Sequence, residues 1–353
     1  MLDRSDPWVP FSQPLRDAVR DRVVQDTIRQ AHLTCSSHTL TTIVSALTPN
    51  DEGGQNENIE SIVWGNGGST VDVSDFLARS RLSRLRCLDL NGQIRISSWD
   101  HLASRSTLLT TLSLNVHVPS SSPTVTVAQL FSILTSNPNI RKLSLSEAAL
   151  PNDADRSTFK VQLCNLKALA LAGEPHCISG LLCQLILPEM LDGMDLRGSG
   201  STVEDMPQIL TPYMQDHFRR DVRFQERLMV SSSSRDHLIS IVACTQATPP
   251  GAQEPPGVTL RASTWRSLNT PEQFLINLFA LIPWERVVSL DANLDTKLPE
   301  ELLFMAPNVE ALYITDLRLT LSEGFLRANP DGPPANTKLL PSLEVFHLRG
   351  MST

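Results

Sequence analysis

Gly65-Asn66-Gly67-Gly68-Ser69-Thr70 has the composition of a phosphate cradle, with small residues that leave backbone N–H groups accessible. A phosphate loop also needs a lysine before its final Ser or Thr, and none stands here. Asp72 would repel an anion near the start of the helix that follows. The segment is therefore expected as a flexible connecting loop. His176, Cys177 and Cys183 offer imidazole and thiolate donors, but without the spacing of a zinc site. The six cysteines, at 35, 87, 164, 177, 183 and 244, form no C-x-x-C pair. Gly198-Ser199-Gly200-Ser201 does not match the G-x-S-x-G turn that exposes a nucleophilic serine. Glu300 and Glu301 are adjacent on a helical pattern and so point apart. No catalytic, cofactor-binding or metal-binding constellation is expected.

What recurs instead is a spacing of apolar residues. Leu82-x-x-Leu85-x-x-Leu88-x-Leu90 is the clearest copy. Related copies are Ile28-Ala31-Leu33, Ile59-Ile62-Trp64, Leu109-Leu112-Leu114, Ile140-Leu143-Leu145, Leu166-Leu169-Leu171, Leu191-Met194-Leu196, Val309-Leu312-Ile314 and Leu343-Phe346-Leu348, with Val287-Leu290-Ala292 weaker. The first seven anchors, from Ala31 to Met194, recur every 24 to 31 residues. Their two-residue alternation is strand behaviour. Helical spacing fills the intervals: Leu40, Ile43, Val44 and Leu47 after the capping serines Ser36 and Ser37, and Val127, Leu130, Phe131 and Leu134. Thr270-Pro271-Glu272-Gln273 reads as a capping box opening a further helix buried through Leu275, Leu278, Phe279 and Ile282.

Strand, helix and strand in short succession force a parallel sheet with helices outside it. The expected fold is α/β, a solenoid with a curved parallel sheet on its concave side and helices on its convex side. The residues between the leucines then face the concave side and are the candidate partner-binding set: His32, Val63, Asp89, Ser113, Ser144, Asp195, Asp291, Tyr313 and His347, with Ala170 among them. Asp89, Asp195 and Asp291 either set a negative stripe there or mark the watered side of a strand.

The segments LRCLDL (85–90), LTTLSL (109–114), NPNIRKLSL (137–145), LKALAL (166–171), APNVEALYI (306–314) and LPSLEVFHL (340–348) resemble leucine-rich-repeat proteins of the ribonuclease-inhibitor-like kind. More narrowly, the chain resembles the repeat region of fungal F-box/leucine-rich-repeat proteins over roughly three quarters of its length. The resemblance implies a substrate-recognition part of a ubiquitin ligase, whose adaptor would be a partner where an F-box is present. Two departures stand out. The consensus asparagine after the strand is mostly missing, with Gln93 in its place. No F-box is visible: residues 1–27 are too short for one, and Leu298-Pro299-Glu300-Glu301-Leu302-Leu303 imitates its opening but is followed by a repeat strand at Val309.

A net charge of −8 excludes a general nucleic-acid binder. Two local basic runs, Arg79, Arg81, Arg84, Arg86 and Arg219, Arg220, Arg223, Arg227, read as solvated faces. No secretory leader, membrane span or N-x-S/T acceptor is found, so a reduced cytoplasmic or nuclear setting is expected, with no membrane partner. Residues 1–27 are expected to cap the array, with a helix around 14–23. Repeats are expected over 28–197 and 271–353, with an irregular insertion over 198–270, all in one continuous solenoid. Within the insertion, helical pieces 202–210 and 211–220 break at Pro212, and strands 228–230 and 238–243 join through Ser231–Ser234. Ile239-Ser240-Ile241 is expected to continue the main sheet with an irregular hairpin beside it. Val258–Leu260 is a further strand, and 247–257 and 329–336 are proline-rich loops. An ending just after a strand leaves an exposed sheet edge, and one reading is a fragment of a longer protein.

The leading expectation is a non-enzymatic scaffold for an unidentified protein partner, with a repeat regulator unrelated to ubiquitin as the alternative. From the enzyme class, a hydrolase hidden in 197–286, using its serines with Asp236 and His237, is the third.

Overall fold

A computed structural model describes residues 28–48, 56–97, 99–105, 108–116, 125–146, 149–150, 160–189, 191–199, 206–220, 227–233, 238–244, 257–263, 276–277, 279–293, 306–315 and 342–349. The expectations for residues 1–27, 247–256, 270–275, Leu278, 298–303 and 329–336 lie outside the described residues. The chain divides into two compact units, 1–166 with 184–187, and 167–183 with 188–353.

In unit 1 the alternating segments become strands β1 (Gln30–Cys35), β2 (Ser61–Asp72), β3 (Cys87–Arg95), β4 (Thr111–Val116) and β5 (Lys142–Ser146), paired in that order and all parallel. Ala31, Ile62, Leu88, Leu112 and Leu143 lie in one register row, and Leu33, Trp64, Leu90, Leu114 and Leu145 in the next. From β2 to β5 none of these side chains is more than 1% exposed. Each contributes roughly 1.5–3 kcal/mol of burial. Helices α1 (Ser37–Leu47), α2 (Ser74–Arg79), α3 (Asp100–Arg105) and α4 (Val127–Ser136) fill the intervals. Ser36 caps α1 by accepting from the Thr39 N–H, and α1 buries Leu40, Ile43, Val44 and Leu47. Thr126 and Gln129 form a capping box on α4. That T-x-x-Q signature stands in the sequence ahead of Leu130.

Three hydrogen-bond ladders tie successive strands together. In the first, one backbone carbonyl accepts two N–H groups from the next strand's start: Arg29 takes Glu60 and Ser61, Glu60 takes Arg86 and Cys87, Arg86 takes Thr110 and Thr111, and Thr110 takes Arg141 and Lys142, all at 2.7–3.1 Å. In the second, a tight turn precedes β2, β3 and β5, with Ile59 N–H donating to Asn56, Leu85 to Leu82 and Ile140 to Asn137. The third runs through side chains. Asn165 Nδ2 donates to the Pro138 carbonyl, and unit 2 repeats the device where Asn308 Nδ2 reaches Glu285 and Ser342 Oγ reaches Pro307. In unit 2 the P-N and P-S lead-ins, Pro307-Asn308 and Pro341-Ser342, thus carry side chain-to-backbone links, and in unit 1 Asn165 after Cys164 does the same. These links are exposed, so Asn165→Ala should lower stability by no more than about 1 kcal/mol in urea unfolding.

The glycine-rich segment corrects its expectation as a loop. Residues 61–72 are one strand, with a bulge between Asn66 and Val71, where pairing to β3 resumes at Ile94. Asn66 is 8% exposed and holds the bulge: its Nδ2 donates to the Gln93 and Ser69 carbonyls, and its Oδ1 accepts from Gly68 and Gln93 N–H groups. An amide here satisfies the bulge backbone from within, which is why no free loop forms. Gly92, across the pair, has φ +96°.

Unit 2 contains β7 (Ala168–Gly173), β9 (Gly193–Gly198), β10 (Arg227–Ser233), β11 (Leu238–Cys244), β12 (Gly257–Ser263), β13 (Ser289–Asn293), β14 (Ala311–Thr315) and β15 (Val345–Arg349). The short pair β6 (Val161–Gln162) and β8 (Leu185–Ile186) belongs to unit 1. The spatial order in unit 2 is β7-β9-β12-β11-β10-β13-β14-β15. β11 is antiparallel to both neighbours, while β12 runs parallel to β9 and β10 parallel to β13. The irregular hairpin is therefore not beside the sheet. β11 and β12 are wedged into it between β9 and β10. β10 also runs through Ser231–Ser233, which the sequence reads as turn residues; pairing to β11 keeps them extended. Helix α5 (Pro175–Gln184) carries proline at its first position. Helix α6 (Met206–Arg220) continues through Pro212, where a break is expected. A proline removes one N–H and clashes with one carbonyl, which a helix can absorb as a kink rather than an end.

Candidate functional site

The register of the strands decides which mid-strand residues stand together. In unit 1 His32, Val63, Asp89, Ser113 and Ser144 are consecutive register partners. In unit 2 the row runs Ala170, Asp195, Thr259, Val242, Met229, Asp291, Tyr313 and His347. Every residue of the candidate set falls in one of these two rows. Thr259, Val242 and Met229 were missed, because β10–β12 depart from the leucine spacing; the apolar–polar alternation of Val258–Leu260 was the available signal.

The rows are not uniformly open. Ser113 and Ser144 are 3% and 8% exposed, against the expectation of a solvent-facing position. Asn115 bridges them: its Nδ2 donates to Ser113 Oγ, and its Oδ1 accepts from Ser144 Oγ. These serines are short and mutually satisfied, so they make a closed polar floor rather than a contact surface. His32 at the sheet's edge is exposed and sits 2.8 Å from Ser61 Oγ through Nε2.

The three aspartates do not make a free negative stripe. Asp195 Oδ2 accepts from Arg197 Nε and Nη2 at 3.0 and 2.8 Å. Asp291 Oδ2 accepts from Arg227 Nη2 at 3.3 Å, with both side chains under 20% exposed. Asp89 has no ion pair among the described residues and is half-buried. The densest constellation is therefore in unit 2. Arg227 pairs with Asp291, and next along the row Tyr313 stacks on His347, with ring centroids 5.2 Å apart and planes 6° from parallel. Arginine and tyrosine, which stand here on the strands flanking β13, are among the side-chain types that dominate interface energetics.

Metal-type donors come together once among the described residues. Glu174, His176 and Cys177 place ligand atoms within 4.8 Å of one another, and His176 Nε2 lies 3.3 Å from Glu174 Oε2. The Glu174 carbonyl accepts the Cys177 and Ile178 N–H groups, so this is the N-terminal turn of α5, whose dipole disfavours a cation. Burial, then the Glu174 charge, pushes the Cys177 thiol above its ordinary range. The arrangement caps a helix and keeps the thiol protonated. Timed alkylation near neutral pH followed by mass spectrometry should accordingly modify the exposed Cys164 well before Cys177. Helix α5 is joined to α6 where Tyr213 Oη meets Cys183 Sγ and Ser179. Burial, chiefly, raises the Tyr213 phenol. Asp236 and His237 of the hydrolase alternative lie outside the described residues.

The described residues thus define an α/β protein built on parallel strands with intervening helices. No helix among them is long and apolar enough to cross a membrane. No protein-family model matches the chain, and no curated protein matches it either.

Proposed function

We propose that this chain is a non-enzymatic leucine-rich-repeat scaffold that recognises a protein partner through the exposed face of its strands, the concave face of the array. The observation that carries the reading is the unbroken register of mid-strand residues in unit 2, which includes the Arg227–Asp291 and Tyr313–His347 cluster. A binding face built on paired strands is rigid, so little conformational entropy is lost when a partner docks. The ubiquitin-ligase role rests on resemblance alone. Cytoplasmic or nuclear localisation belongs to the same proposal.

The test is quantitative affinity purification of the full-length gene product. Tyr313→Ala is expected to lower recovery of the principal protein partner about tenfold, the loss typical of an aromatic anchor. Asp291→Asn, which leaves the shape in place but weakens the Arg227 contact, should lower it by less. Recovery of the same partners in the same amounts from both variants would remove the strand-face reading. Co-purification of the ligase adaptor separates the ubiquitin role from a repeat regulator of another kind.

A further inference from the structure

The basic run of residues 79–86 is largely solvated, as expected, but its members differ in their partners. Arg81 is ion-paired to Glu57 at 2.9 Å, and Arg79 is half-buried at the end of α2. Arg84 and Arg86 are exposed, as are Arg141 and Lys142 two strands away, and none of these four has a carboxylate partner among the described residues. The first carbonyl ladder places them. The Arg86 carbonyl accepts from Thr110, and the Thr110 carbonyl accepts from Arg141 and Lys142. The start of β4, floored by a small threonine, is therefore flanked by two cationic strand starts. Strand spacing sets the flanking cations on the order of 10 Å apart. Two residues ahead of Thr110, Leu108 is 42% exposed, a large aliphatic side chain left in water.

We propose that this rim of unit 1 binds an extended acidic segment of a protein, with carboxylates on the flanking cations and an aliphatic side chain against Leu108. Four cations without an ion-pair partner among the described residues, around three strand starts in a chain of net charge −8, are a local concentration and not a reflection of overall basicity, although Glu60 stands beside Arg86 on the other side of the ladder. An extended segment in the polyproline II conformation returns to the same face every three residues and rises about 3.1 Å per residue, so acidic side chains three residues apart face the rim together at about 9 Å, close to the cation spacing. The exposed leucine and the lack of any aromatic side chain among these rim residues favour a peptide over single-stranded nucleic acid, which binds by stacking its bases. The rim shares no residue with the mid-strand rows, so the two surfaces fail or succeed separately.

The test is fluorescence anisotropy of the full chain with a labelled peptide repeating Glu-Leu-Ser-Glu, its Gln-for-Glu counterpart and a labelled oligo-uridine. The acidic peptide is expected to bind in low salt and weaken as salt rises. Arg86→Glu with Arg141→Glu should weaken it about tenfold, and Leu108→Ser about threefold, with thermal unfolding unchanged. Arg86→Gln with Arg141→Gln repeats the test without introducing new charge. Absent binding, equal binding of the Gln peptide, equal binding by the charge-reversed protein, or preference for oligo-uridine would each overturn the proposal.

Discussion

Replacing Gly92 with alanine is expected to destabilise the fold by on the order of 3–4 kcal/mol, the sum of a left-handed backbone cost and a steric overlap in packed surroundings. Both causes are visible at one residue. The φ of +96° is a conformation that L side chains rarely adopt. An added Cβ would also lie 2.0 Å from the Asn66 carbonyl oxygen, with the Asn66 carbonyl carbon at 3.1 Å. The obstacle is backbone held by strand pairing on both sides, so no rotamer change relieves it. Urea unfolding followed by circular dichroism measures the loss. Gly67→Ala, where an added methyl meets nothing within 4 Å, should be near neutral, and Gly180→Ala in α5, equally open, should stabilise by roughly 0.5–1 kcal/mol. Equal effects at 92 and 67 would contradict the close approach of β2 and β3.

Asn137→Leu is expected to cost about 2–4 kcal/mol, because it strands two buried backbone groups at about 1–3 kcal/mol each. Asn137 is 0% exposed. Its Nδ2 donates to the Ile133 carbonyl in the last turn of α4 at 2.8 Å, and its Oδ1 accepts the Leu109 N–H ahead of β4 at 3.1 Å. One amide therefore ends a helix and fastens it to the preceding strand. Asn56, also fully buried, fills the same place before β2, donating to the Leu47 carbonyl that ends α1 and to Ser80 Oγ. Asn137→Asp adds a test with a sign. A carboxylate can accept from Leu109 but cannot donate to Ile133, and burial raises its folded-state pKa above the unfolded value. The variant should therefore recover stability as pH falls through that folded-state pKa, when its O–H becomes a donor. A variant whose deficit does not change with pH would show that the Ile133 bond contributes little.

Much of the architecture was legible from periodicity, and the reason is physical. Leu88, Leu112 and Leu143 have one environment each, fully buried in register, so side-chain hydrophobicity alone predicts their row. Polar residues carry no such signature. Asn66, Asn137 and Asn165 look alike in sequence, yet one fills a bulge, one closes a helix and one bridges exposed turns. Their roles depend on which backbone groups the fold leaves open, which only the paired strands reveal. The candidate binding rows were half legible. Positions between leucines predicted the rows themselves, but not that Asn115 would seal Ser113 and Ser144, nor that Arg227 and Arg197 would neutralise two of the three aspartates. The β11–β12 hairpin escaped because Ile239-Ser240-Ile241 alternates like any other strand, and alternation does not tell up from down.

That hairpin has a consequence for how such a chain can change over time. Inserting strands in twos restores the polarity of whatever follows, and β12, β11 and β10 keep Asp195 and Asp291 in phase across four strand steps, a gap of roughly 19 Å. A duplication or loss of such a pair would lengthen or shorten the strand face proposed for recognition without turning a single downstream residue inside out. The same parity rule makes this the natural point at which to graft or excise material in engineered versions of the protein.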